Sequence, residues 1–200
     1  MKSKIIMSVF LLIITVSMVV GGSFAYFSDS ETSIGNTFTA GTLDLKINDG
    51  DVNVVAFNVT NMAPGAQPVR SYKLGNAGSI SGYLNITAVA VTNLENGIIE
   101  PEAAAGDTTD PLGELGNVVN IRLYFDNDAD GYYSTGDVMF YNGLVSAMPA
   151  SFKVNKMMAA GAVVKINAVL DWWSTANDNL AQGDTMIIDF TFNLSQNSIP

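Results

Sequence analysis

A chain of 200 residues with no cysteine and no histidine has no disulfides, no thiol nucleophile, no Ser-His-Asp triad and no imidazole for a catalytic zinc. Nineteen acids against nine bases give a net charge of −10, which repels phosphate backbones and excludes nucleic acid as a partner. The length suits one domain with a short appendage, and plentiful Gly, Asn, Thr and Val favour strands and turns over helices.

At the N-terminus, Lys2 and Lys4 precede the apolar run Ile5–Val20. Gly21-Gly22 then breaks the run, and Ser23 and Ala25 put small residues at positions −3 and −1 of a cleavage site. This pattern predicts a secretory signal peptide over residues 1–25, with cleavage between Ala25 and Tyr26. The run is shorter than the roughly 20 apolar residues a membrane-spanning helix needs. The product is therefore expected outside the cell.

Period-2 alternation predicts strands over Leu43–Ile47, Val52–Thr60, Ile80–Thr92, Val119–Phe125, Val164–Leu170 and Thr185–Ser195. In the last of these, Met186, Ile188, Phe190, Phe192 and Leu194 share one face and polar residues dominate the other. Asn48-Asp49-Gly50, Ala63-Pro64-Gly65, Gly75-Asn76-Ala77-Gly78, Asn96-Gly97 and Gln182-Gly183-Asp184 read as turns. Short helical pieces are expected between Glu100 and Leu115 and between Met148 and Ala160, with Leu94–Gly116 as an insertion between strands. About eight strands with one wet face each imply an all-β fold of two antiparallel sheets packed face to face.

The sharpest motif runs from Asp126 to Asp137, Asp-Asn-Asp-Ala-Asp-Gly-Tyr-Tyr-Ser-Thr-Gly-Asp. It matches a calcium loop of the form D-x-[DN]-x-[DN]-G-x₅-E with Asp in the last place. The pattern assigns side-chain oxygens to Asp126, Asp128 and Asp130, a backbone carbonyl to Tyr132, a direct or water-mediated contact to Ser134 and the closing carboxylate to Asp137. Gly131 allows the sharp turn at position 6. Four carboxylates this close repel one another unless a cation intervenes. Asp is shorter than Glu, so the expected affinity is weak, about 10⁻⁴ M, as in extracellular modules. The flanks read as strands, which makes this a stapled turn rather than a sensor.

Three sequons mark Asn58, Asn85 and Asn193 as glycosylation acceptors, each on the polar parity of its strand. Of Trp172-Trp173, one ring is expected in the core and the other partly exposed. The acids Asp49, Asp51, Asp107 and Asp110 read as solvated turn residues. No serine, lysine or acid pair stands in a recognisable catalytic setting, and the chain is not expected to be an enzyme.

Several stretches, taken in order, carry a likeness. Gly21-Gly22-Ser23-Phe24-Ala25-Tyr26-Phe27-Ser28-Asp29 and Phe38-Thr39-Ala40-Gly41-Thr42-Leu43-Asp44-Leu45 are followed by Asn61-Met62-Ala63-Pro64-Gly65, Leu74-Gly75-Asn76-Ala77-Gly78-Ser79 and Gln182-Gly183-Asp184. Together they resemble the TasA/camelysin family of secreted fibre proteins, and archaeal bundling pili are similar. The resemblance implies a jelly-roll sandwich over residues 39–200, cleavage after Ala25 by a signal peptidase, and assembly into extracellular filaments or biofilm matrix.

It further implies head-to-tail self-association in which residues 26–38, with Tyr26, Phe27, Ile34 and Phe38 as the apolar members, complete a neighbour's sheet. Other matrix or cell-envelope components are further possible partners. The physics would be β-augmentation, and about twelve residues at roughly 3.3 Å each span some 40 Å. Some family members are described as metallopeptidases, which supplies an alternative, and a monomeric calcium-binding surface adhesin is a third. The calcium loop rests on its own residues and not on the likeness.

Overall fold

The computed structural model describes residues 40–52 and 54–200. The expected signal peptide, its expected cleavage point between Ala25 and Tyr26, and the segment 26–38 with Tyr26, Phe27, Ile34 and Phe38 lie outside the described residues.

Among the described residues there are nine strands: β1 (Leu45–Ile47), β2 (Val54–Val59), β3 (Val69–Asn76), β4 (Gly82–Leu94), β5 (Asn120–Phe125), β6 (Val138–Leu144), β7 (Phe152–Met158), β8 (Val163–Asp171) and β9 (Thr185–Ser195). Two short helices, α1 (Glu100–Ala105) and α2 (Leu115–Val118), lie between β4 and β5. All pairings are antiparallel. One sheet runs β1-β3-β8-β5-β6 and the other β2-β9-β4-β7. The eight strands β2 to β9 therefore follow the order of a jelly roll, and β1 extends one sheet beyond β3.

Alternation explains the layering. Along β9, Met186, Ile188, Phe190 and Phe192 are buried while Ile187, Asp189 and Thr191 are half-exposed. Facing them across the sandwich, Tyr72 on β3 packs its ring 5.9 Å from both Phe190 and Phe192. At the opposite side Phe140 on β6 stacks 5.5 Å from Phe152 on β7, so aromatic pairs join the two sheets at both margins. Burial pushes the Tyr72 phenol up, and its hydroxyl has no hydrogen-bond partner.

Three strands depart from the sequence reading. β3 was hidden because Ser71 and Lys73 make its outer face polar, because Arg70 precedes Tyr72 and Leu74 on the inner face, and because Gly75-Asn76, expected in a turn, are its last two residues. β6 follows the acidic loop without a clean alternation. The stretch Met148–Ala160, expected to be helical, is instead mostly β7 preceded by a short 3₁₀ turn at Val145–Ala147. Phe152 and Met158 bury themselves at strand spacing, while a register shift opposite β4 and the positive φ of Asn155 blur the period.

The free edges of the two sheets are treated differently. Along β7, Lys153 donates to the Pro200 carbonyl, and the Asn155 side chain exchanges hydrogen bonds with the backbone of Ile199. On the other side of the sandwich, among the described residues, β2 pairs only with β9, and β1 covers β3 only from Leu74 to Asn76. Asn48 adds a backbone and a side-chain bond to Lys73. The outer margin of β3 from Val69 to Tyr72 has no strand partner among the described residues.

Candidate functional site

The acidic loop closes the β5–β6 hairpin. Its first ligand candidate, Asp126, follows directly on the buried end of β5 and is itself buried. Asp126 Oδ2 accepts from the Gly131 amide at 3.1 Å and from Asn167 Nδ2 at 2.9 Å, while Oδ1 has no partner. Gly131, with φ +87°, turns the chain so that its amide reaches back to Asp126. Asp137 bridges the loop mouth, accepting from the amides of Asn127 and Ser134, both at 2.8 Å.

Carboxylate oxygens of Asp126, Asp128 and Asp137 lie within 4.8 Å of one another. Ser134 stands beside them, donating its hydroxyl to Asp128 at 3.0 Å. Asp130 is outside this trio, because its carboxylate accepts from the Tyr132 amide at 2.7 Å. The Tyr132 side chain is exposed, and Tyr133 packs edge-on against Tyr124. The hydroxyl of Ser134 and the amide of Asp130 hold the Asp128 carboxyl below its usual range.

The sequons divide. Asn58 and Asn193 are exposed on β2 and β9. Asn85 is not on a wet face, contrary to its parity: it is fully buried, its amide donating to Asn155 Oδ1 and its Oδ1 accepting from the Asn155 amide. The β-bulges on either side of Ile86 shift β4's phase there, so a glycan on Asn85 has no room in the folded chain. Trp172 is buried and Trp173 is 61% exposed, as the dipeptide suggested.

A second expectation fails in the β4–β5 insertion. Asp107, read as a solvated turn residue, is buried beside Glu95 and Glu102, while Asp110 is exposed. Sequence reasoning missed this group because its members are far apart along the chain.

Two open clefts complete the inventory of candidate sites. One, of about 520 Å³, lies between β2 and β3 and is lined by Phe57, Val59, Met62, Pro68, Val69 and Arg70. Arg70 sits over the Phe57 ring at 5.5 Å. The other, of about 510 Å³, is polar and holds Trp173 beside the ion pair of Arg122 with Asp171. Asp171 accepts from Arg122 Nε at 2.6 Å and Nη2 at 3.0 Å and from Gln67 at 2.7 Å, which raises the guanidinium further.

These observations define a class: a jelly-roll sandwich with groups of converging carboxylates and, among the described residues, two strand margins left bare on one side. A family model described as camelysin metallo-endopeptidase matches residues 1–198. The chain belongs to that family, the one that includes the TasA matrix proteins and whose members are secreted or cell-surface-associated. Comparison with curated proteins yields no match. No helix among the described residues is long and apolar enough to cross a membrane.

The family description implies a metal. The converging donors here are all carboxylate oxygens, which suit hard cations such as calcium and supply none of the imidazole nitrogens of the common catalytic zinc sites. The unpartnered, buried Oδ1 of Asp126 fits such a cation.

Proposed function

We propose that this chain is a structural subunit of an extracellular filament or biofilm matrix, in which residues 26–38 of one copy complete the sheets of the next. The observation that carries this reading is the bare side of the sandwich. β2 and the first half of β3 border one cleft, and neither has an outer strand among the described residues. Unpaired N–H and C=O groups on such margins are satisfied by an incoming extended segment, whose apolar side chains gain the cleft floor of Phe57, Val59 and Met62. A head-to-tail contact of this kind does not close on itself and yields fibres.

In this reading calcium at Asp126, Asp128 and Asp137, with Ser134 beside them and Asp130 and Tyr132 at the rim, stiffens the β5–β6 turn. The role is structural and not catalytic.

The test is negative-stain microscopy of chain beginning at Tyr26. Filaments are expected, and removal of Tyr26–Thr37 should leave monomers. Filaments that persist undiminished without the segment overturn the mechanism.

The family description favours a second reading, a secreted metallopeptidase. Casein digestion that a chelator blocks would support it, and a preparation inert towards casein with metal present counts against it.

A further inference from the structure

Four acids of the β4–β5 insertion and one from just before β9 lie together. Glu95 follows β4, Glu102 lies in α1, Asp107 follows α1, Glu114 precedes α2, and Asp184 precedes β9. Carboxylate oxygens of Glu95, Glu102 and Asp107 lie within 4.8 Å of one another, as do those of Glu95, Glu114 and Asp184, so Glu95 is the hub of both groups. Glu102 is fully buried, and Glu95, Asp107 and Asp184 are each at least nine-tenths buried. No lysine or arginine forms an ion pair with any of the five among the described residues.

The hydrogen bonds are arranged in a regular way. In four of the carboxylates one oxygen is fixed by a donor. Glu102 Oε2 accepts from the Ile99 amide at 2.7 Å, and Asp107 Oδ1 accepts from the Thr109 amide at 2.9 Å. The Thr109 hydroxyl, within reach of both Asp107 Oδ1 and Glu114 Oε1, has one proton and serves Glu114, and Asp184 Oδ2 accepts from the amides of Glu114 and Leu115 at 2.6 and 3.0 Å. The other oxygen of each has no partner, and neither oxygen of Glu95 has one. Six buried oxygens are therefore left without a donor. Gly113 seals one wall, since a Cβ there would come within 2.8 Å of the Asp184 carboxyl.

Burying charged groups without partners is costly, and native folds rarely leave such atoms unexplained. Like charges at this spacing add repulsion. Two explanations meet the chemistry: protons shared between carboxyls, or a cation. Shared protons engage oxygens in pairs, whereas Glu95 lies within 4.8 Å of two other carboxylates in each of two groups. That spacing is the one found between ligands on opposite sides of a calcium ion, about 4.8 Å or twice a Ca–O bond of roughly 2.4 Å. Magnesium keeps several waters and seldom accepts an all-protein cage.

We propose that Glu95, Glu102, Asp107, Glu114 and Asp184 form a second, buried calcium site that fastens the β4–β5 insertion to the start of β9. The site is separate from the hairpin loop and does not depend on the filament reading. Its consequence is that α1 and its flanking segments, which have few apolar contacts of their own, are held to the sandwich by the ion.

The experiment uses the chain from Tyr26 onward, stripped with chelator and titrated with calcium chloride by calorimetry. The background is Asp126→Asn with Asp128→Asn, which removes two of the three converging hairpin carboxylates. Calcium binding is expected to persist there, to raise Tm by about 5–10 °C at a hundredfold excess over Kd, and to vanish on adding Glu95→Gln. Hydrogen exchange of residues 95–116 in the wild type, slowed by calcium, gives a reading that needs no variant. Two results overturn the proposal: no calcium uptake by the folded hairpin variant, or exchange over 95–116 that is indifferent to calcium. Either one leaves shared protons as the explanation. Filament formation is not part of this readout, so failure here leaves the donor-strand reading standing.

Discussion

Four acids crowd the β5–β6 turn and five crowd the β4–β5 insertion, yet the two groups differ in what already satisfies them. In the turn, amides of Asn127, Asp130, Gly131, Tyr132 and Ser134 point at the carboxylates, and only one oxygen, Asp126 Oδ1, is both buried and unpartnered. In the insertion, six oxygens are buried and unpartnered. A contiguous acidic loop supplies its own donors, because its backbone must pass close to its side chains. Acids gathered from distant segments find fewer donors, and here none has both oxygens satisfied. Removing a charge should therefore weaken the turn and relieve the insertion.

The largest expected effect comes from a buried acid outside both groups, Asp171, which shows what full pairing is worth. Arg122→Ala strands its charge beside Gln67 alone and should cost about 2–3 kcal/mol, read as a lowered midpoint in urea. A loss below about 0.5 kcal/mol would mean that solvent already screens this pair.

Next comes the turn. In chelator, Asp126→Ala should cost about 1–2 kcal/mol, because the Gly131 amide and the Asn167 side chain lose their acceptor. A gain in stability would erase the contrast with the insertion.

The smallest and most discriminating effect has the opposite sign. Burial first, and then the charges of Asp184 and Glu102, push the Glu95 carboxyl up to about 7. In chelator the folded chain thus holds a proton that the unfolded chain releases, so stability falls as pH rises from about 4.5 to 7 and the cost is full above that. Glu95→Gln, with Glu102, Asp107, Glu114 and Asp184 left in place, should gain about 1 kcal/mol at pH 8 and flatten this slope. An unchanged slope would place the titration elsewhere.

The same contrast governs what could be read in advance. The turn was legible because its acids fall within twelve residues of one another and Gly131 stands where the chain turns at positive φ. The insertion was not, because Gly106, Thr108, Thr109, Asp110 and Pro111 around Asp107 have the composition of a wet loop. Nothing local announces that Glu95 and Asp184 arrive at the same place. Strands followed suit. β9 alternates cleanly and was found with its faces; β8 was found as a strand, but its polar Asn167 and Asp171 are buried along with Ile166 and Leu170; β3 and β7 carry lysines, a turn-like ending or a bulge that masks the period. The jelly-roll order of the strands came from a family likeness, since alternation fixes which face is buried and not which strands are neighbours.

The brevity of β1 has a geometric corollary. Ile47 and Gly50 exchange backbone bonds around Asn48 and Asp49, both at positive φ, and this tight turn sits against Lys73 midway along β3. Any chain zipping along that margin from Val69 would run into the turn after a few residues and halt. Sliding by two residues would drive it into Asn48. The knuckle at Asn48-Asp49 would thus act as an end stop, giving successive units in a row one fixed spacing instead of a range of them.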